Sequence, residues 1–172
     1  MDINRNNHVK MTSAEANKYL KKLNDERVSL LRREQEGSSF IAAVGEDLEA
    51  ARPAYDYTVT RESLEALYRE IRSVKHALNK FNTTTEVPGF GMTIDEMLVY
   101  LPQLHYERDT LFAMKSALPK VRKKRPDGKL IEYVYPNYEI SAAAADFERV
   151  DDLLTRAQTA LDKVNNTATL EI

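Results

Sequence analysis

The sequence has no cysteine and no tryptophan, and contains five glycines and six prolines. Without cysteine there can be no disulfide, no thiolate metal ligand and no thiol nucleophile. So few glycines argue against a sandwich or barrel, which places glycine at many of its turns. Long apolar runs are missing as well. No stretch approaches the roughly 18 apolar residues of a membrane span, and Met1-Asp2-Ile3-Asn4-Arg5-Asn6-Asn7 offers no apolar core for a signal peptide. A cytoplasmic protein with no membrane partner is the expectation. Neither sign of charge dominates: 25 Lys and Arg stand against 27 Asp and Glu, a net charge of −2, which gives no global attraction to nucleic acid or anionic lipid.

Motifs with a strong chemical reading are absent too. There is no phosphate-cradling G-x-x-x-x-G-K-[ST], no G-x-G-x-x-G, no G-x-S-x-G and no H-E-x-x-H. Paired-metal bundles need Glu-x-x-His on two helices, but Ser73 precedes His76 at that spacing and Pro102 precedes His105. Both histidines read as helix-face polar residues. Asp146, Glu148, Asp151 and Asp152 crowd the start of a helix, where the helix dipole favours carboxylates. No catalytic residue, metal ligand or cofactor site is assigned, and the expectation leans away from an enzyme.

What is present, in 172 residues of which 30% are charged, is helical periodicity for a single helical domain. Thr12-Ser13-Ala14-Glu15 has the capping-box form and opens a helix over about 13–36, with Leu20, Leu23, Arg27, Leu30 and Glu34 on its seam. About 1–11 is expected to be flexible. Thr60 is read as the cap of a second helix carrying Leu64, Leu67, Ile71, Val74, Leu78 and Phe81 in unbroken three-four alternation. That helix is expected to end at Asn82-Thr83-Thr84-Thr85, before Pro88. Pro88-Gly89-Phe90-Gly91 reads as a flexible connector. Thr93-Ile94-Asp95-Glu96 caps a third helix, with a kink expected near Pro102 and an end at Pro119. The last helix is expected from Ser141, with Phe147, Val150, Leu154, Ala157, Leu161 and Val164 on its seam, ending at Asn165-Asn166-Thr167. Between the third and last helices, Pro126-Asp127-Gly128 separates two extended segments, a hairpin over about 120–136.

The segment 37–59 is an irregular insert. Phe40-Ile41-Ala42-Ala43-Val44 suits a buried strand or a helical continuation equally, since a short apolar run has no decisive period. Glu46–Ala51 could be a short helix. Tyr55–Val59 alternates like a strand and could pair with 130–135. A shift of 83 residues sets Ala77–Asn82 on Ala160–Asn165 and every seam position of the second helix on one of the last. A duplicated unit and a shared packing constraint would both produce that match.

One dense charge cluster, Lys120, Arg122, Lys123, Lys124 and Arg125, is followed by Lys129 and then by Tyr133 and Tyr135. Such a hairpin can hold phosphates and stack bases. It can equally be a solvated edge whose lysines block sheet-to-sheet association.

The run Ile71–Thr84 followed by Met92-Thr93-Ile94-Asp95-Glu96 resembles the centre of the septicolysin-like bacterial proteins. Leu130–Tyr133, the long last helix and Val164–Thr167 are similar to them as well. The family brings no established activity and no catalytic residue set to map. The expected fold is mainly α: an elongated antiparallel bundle of coiled-coil type, with four long helices and a small β-hairpin. Helices of about 22–26 residues span roughly 33–39 Å, long for this chain, and leave seam ends uncovered. The expected function is a non-enzymatic, self-associating interaction or scaffold protein, a homo-oligomer or a binder of a partner helix. The alternative is nucleotide or nucleic-acid binding through the basic 120–129 hairpin.

Overall fold

The computed structural model of the protein describes residues 9–123 and 130–172. In chain order the elements are β1 (Lys10–Thr12), α1 (Ser13–Gly37), α2 (Leu48–Ala51), α3 (Tyr57–Thr84), β2 (Glu86–Val87), β3 (Met92–Thr93) and α4 (Ile94–Lys115). These are followed by β4 (Val121–Lys123), β5 (Glu132–Val134), α5 (Ile140–Thr167) and β6 (Thr169–Glu171). The fold is mainly α with small antiparallel strand pairs: β1 with β6, β2 with β3, and β4 with β5. The chain divides into two compact units. One comprises the residues up to Asn82 together with Asn165–Ile172, and the other Thr83–Val164.

In the first unit, Thr12 caps α1. Its hydroxyl accepts from the Glu15 amide at 3.2 Å, while a Glu15 carboxylate oxygen accepts from the Thr12 amide at 2.8 Å. Two donors that the first helical turn leaves without partners are thereby satisfied. α1 and α3 run antiparallel: the Tyr19 hydroxyl donates to Glu70, Arg61 meets Glu34 at 3.4 Å, and Tyr55 closes on the end of α1. That last approach explains Gly37, where a Cβ would lie 2.9 Å from the Tyr55 Cβ. On α3 the stripe Leu64, Leu67, Ile71, Val74, Leu78 and Phe81 is buried. β6 adds the buried Leu170, whose cross-strand partner is Met11.

The second unit repeats this plan. Thr93 caps α4 with the same reciprocal bonds, 3.2 Å and 2.7 Å, and Val87 is the buried residue of β2, opposite Met92. α4 and α5 are antiparallel, joined by the Phe112–Phe147 ring contact at 5.8 Å, a 3.3 Å Lys115–Glu148 ion pair and a His105–Gln158 contact at 3.1 Å. On α5, Val150, Leu154, Ala157, Leu161 and Val164 are buried, whereas Phe147 is half-buried.

The correspondence is residue by residue. α3 and α5 have the same length, 28 residues, and their buried positions coincide from Leu67/Val150 to Phe81/Val164, then again at Val87/Leu170. On the capped helices Ser13, Ala16 and Leu23 are buried in α1, and their counterparts Ile94, Met97 and Leu104 in α4. Strand register repeats as well: Met11 faces Leu170 and Thr12 faces Thr169, as Met92 faces Val87 and Thr93 faces Glu86.

Several expectations change. The helix read as starting at Thr60 begins at Tyr57, because the Asp56 carboxylate accepts from the Val59 amide at 2.9 Å and supplies the cap. Thr60 lies inside the helix, its hydroxyl bonded to the Asp56 carbonyl. Tyr57–Val59 is therefore helix and not strand, and 132–134 pairs with 121–123 instead. α3 ends at Thr84, within the expected Asn82–Thr85 stop. α4, which contains Pro102, ends at Lys115, short of Pro119. Phe40–Val44 is neither strand nor helix. Its end is a turn in which the Glu46 amide donates to Ala43 at 3.1 Å, with Gly45 at φ +90°. The 88–91 connector is a tight turn: the Phe90 amide donates to Val87 at 3.2 Å, Pro88 leads and Gly89 has φ +85°, the pattern of a type II turn.

Candidate functional site

The basic cluster is only partly within the described residues. Lys120, Arg122 and Lys123 lie at the start of the β4–β5 ribbon, while Lys124, Arg125 and Lys129 fall outside the described residues. Where they are seen, two of the basic groups, Lys120 and Lys123, are engaged inside the ribbon. The Lys120 ammonium sits 3.8 Å from the centre of the Tyr133 ring and 5.9 Å from that of Tyr135, and the two rings are 6.4 Å apart. Lys123 meets Glu132 at 3.9 Å, and Arg122 lies opposite Tyr133. Tyr133 and Tyr135 thus form a two-ring cradle for a cation, filled by the chain's own Lys120.

Of the two helix-face histidines, His105 contacts Gln158. Among the described residues no group of three His, Asp or Glu side chains is placed to hold a metal ion. The described grooves have volumes of about 310–340 Å³. One runs along α3 from Tyr57 to Tyr68, another along α5 beside Pro88 and a third along α4 from Met92 to Gln103. A fourth lies between the end of α1 and the segment 53–56. Grooves walled on one side by a single helix leave most of a small ligand exposed, whereas a ligand site usually encloses it.

Perturbed titrations follow the local bonds. Hydrogen bonds from the Thr12 and Thr93 amides and hydroxyls hold the Glu15 and Glu96 carboxyls below the ordinary carboxylate value. The Tyr19 hydroxyl, donating to Glu70, is pushed up to about 12. Desolvation raises Tyr55. All four groups lie at helix caps or helix contacts, where a structural role accounts for them.

Apolar surface is the feature that stands out. α4 buries only Ile94, Met97 and Leu104, while Leu98, Val99 and Tyr106 are 49%, 61% and 78% exposed. With exposed Pro102 they fall within an arc of about 100° at 3.6 residues per turn. The equivalent residues of α1 are Asn17, Lys18, Lys21 and Asp25, an ordinary solvated face. The repeated fold therefore does not require apolar residues there. The insert after α1 also presents apolar groups, with Ile41 and Val44 almost fully exposed on and beside the Ala43–Glu46 turn.

Reading the seams alone misses the α4 patch, because periodicity ranks buried stripes and not faces that stay apolar after burial. A second echo at a shift of 81 residues would have exposed it. Met11, Thr12, Glu15, Tyr19, Leu20, Leu23, Glu26, Arg27 and Leu30 recur as Met92, Thr93, Glu96, Tyr100, Leu101, Leu104, Glu107, Arg108 and Leu111. Against those identities the change from Asn17, Lys18, Lys21 and Asp25 to Leu98, Val99, Pro102 and Tyr106 stands out.

Comparison with known proteins adds to the fold alone. No family model matches the chain, and neither does any curated protein. A crystal structure of a functionally unknown conserved protein from Corynebacterium diphtheriae is similar, with 16% sequence identity and a TM-score of 0.58 over 94% of this chain and 99% of that one.

Proposed function

We propose that this protein is a non-enzymatic helical interaction protein that self-associates through the outer face of α4. The carrying observation is the contrast between Leu98, Val99, Pro102 and Tyr106 on α4 and Asn17, Lys18, Lys21 and Asp25 at the same places on α1. Contiguous exposed apolar patches mark association surfaces, and burial between copies would remove this one from water at about 25 cal/mol per Å². Its occupant is a second copy of the same face, since a two-fold contact requires a self-complementary patch. The test grafts the α1 residues onto α4 as Leu98→Asn, Val99→Lys, Pro102→Lys and Tyr106→Asp. Light scattering at micromolar concentration is expected to show an oligomer for the parent chain and a monomer for the graft, with the same circular dichroism. A monomeric parent, or a graft that associates as before, overturns the reading. We place the protein with the septicolysin-like group on the Asn82–Thr84 helix end and the Thr93 cap, as part of the same proposal.

A second reading, binding of single-stranded nucleic acid at the β4–β5 ribbon, is favoured by the Tyr133–Tyr135 pair with Lys120 above it. Bases stack on such rings and phosphates meet the neighbouring cations. Affinity for an oligonucleotide would then fall steeply between about 50 and 200 mM salt. It would be lost on changing Arg122, Lys123, Lys124 and Arg125 to Ser. Absence of binding at low salt removes this reading.

A further inference from the structure

The two units are closed by the same seam made in two different ways. In the second unit β2 and β3 are joined by the tight turn 88–91. In the first unit β6 and β1 occupy the same positions in the same register, but they are connected through the whole of the chain between them. Taking the capped helix and the long helix as one repeat, 10–87 and 92–171 each read strand, helix, helix, strand once the short α2 of the first and the β4–β5 ribbon of the second are set aside. The last strand of each repeat pairs with the first strand of the other. Strand register, burial and the identities from Met11/Met92 to Leu30/Leu111 are shared by the two repeats, the match that a duplicated unit would leave.

We infer that β6 is an exchangeable closing strand, able to leave β1 of its own chain and dock on β1 of a second copy, so that two chains close each other as the two repeats close each other within one chain. Every contact of the seam is available to a β6 from another chain: the three residue pairs, the Val9–Ile172 bonds at 3.2 and 3.3 Å, and the seat of Leu170. β6 is held to α5 by Ala168 alone, and short hinges of this kind favour swapping over back-folding. The unit up to Asn82 is incomplete without residues 165–172, so a released β6 leaves a site on β1 that the β6 of a second copy fits. Exchange of an identical element is a low-cost route to a dimer. This inference concerns a different surface from the α4 patch and stands or falls apart from it.

The Lys10–Glu171 ion pair supplies the test, because both side chains are exposed, they are cross-strand partners, and the sequence contains no cysteine of its own. Chains carrying Lys10→Cys alone and Glu171→Cys alone are mixed at high concentration, incubated in mild denaturant to loosen the seam, returned to buffer and oxidised. Exchange predicts that disulfides joining a Lys10→Cys chain to a Glu171→Cys chain exceed, several-fold, the disulfides joining two chains of the same variant, as read by peptide mass mapping. Oxidising the double variant when dilute is expected to lock the seam within one chain and to abolish mixed dimers on later concentration. Disulfides in the proportions of random collision overturn the inference. If disulfides form only in random proportions while the parent chain associates and the α4 graft does not, strand exchange fails while the α4 reading stands; if mixed disulfides exceed the others in the α4 graft, strand exchange stands without the α4 face.

Discussion

Leu23 and Leu104 occupy the same place in the two units, about three turns into the capped helix, and are 3% and 2% exposed. Changing either to Ala deletes three carbons from a closed interior. At about 0.8 kcal/mol per buried methylene the transfer part is roughly 2.4 kcal/mol. The cavity left behind raises the total into the range of about 2–5 kcal/mol for Leu→Ala. The two costs are expected to agree within about 1 kcal/mol, since their surroundings repeat and the cavity cost follows the surroundings. Urea unfolding followed by far-ultraviolet circular dichroism measures both. With a slope of about 1–3 kcal/mol per molar, a loss of about 3 kcal/mol lowers the midpoint by about 1–3 M at unchanged slope. Lys123→Ala, on the exposed β4 strand, is the control and is expected to cost less than about 0.5 kcal/mol. Should Leu104→Ala cost under about 1 kcal/mol while Leu23→Ala costs about 3 kcal/mol or more, the two units would not share a plan, and the inference from their equivalence would go with it.

Ile71→Ala is expected to cost about 2–5 kcal/mol in the same assay, and Ile71→Asp to prevent folding, because a carboxylate in the buried stripe of α3 has no partner; a soluble, cooperatively unfolding Asp variant would show the stripe to be wrongly placed. Thr93→Ala is expected to cost about 0.5–2 kcal/mol through loss of its cap bonds, and an unchanged midpoint would speak against that cap. Because the folded-state pKa values of Glu15 and Glu96 are lowered, the caps contribute fully above the ordinary carboxylate value and fade as pH falls through the folded-state values. The Glu15→Gln, Glu96→Gln double variant should therefore lose less stability than the parent on acidification from neutral pH, and equal loss would argue against the caps. Tyr19 is raised, so its bond to Glu70 stabilises the fold below the ordinary tyrosine value near 10 and is lost as pH rises through about 12; thermal melts of Tyr19→Phe should show a shallower alkaline decline than the parent, and an identical decline would remove that role.

Much of this architecture is written locally. Thr12 with Glu15, and Thr93 with Glu96, declare two helix starts because the reciprocal cap needs residues three apart and nothing else. The unbroken stripe from Leu64 to Phe81 marks the buried face of α3, since a helix of that period has one side to hide. The Val121–Lys123 and Glu132–Val134 ribbon is equally legible from extended, aromatic residues around an Asp-Gly pair. The proposed self-association surface is only half legible: the length of the helices points to uncovered seam ends and so to association, but the seams themselves are faces that the fold buries.

Distance along the chain hid the rest. β1 and β6 are short, without a hairpin turn between them, and become strands only because folding brings Lys10 opposite Glu171. Asp56 outcompetes Thr60 as a cap because its carboxylate reaches the Val59 amide, a matter of geometry that composition does not rank. Which apolar residues of α4 remain outside depends on what packs against it, and periodicity says little about a helix whose apolar and polar residues are both spread round it. Helices, caps and buried stripes can be read from the order of residues because each is set by neighbours within a turn or two. The closing of the last strand on the first, and the outward face of Leu98, Val99 and Tyr106, come from folding itself, since both depend on residues far apart in the chain meeting in space.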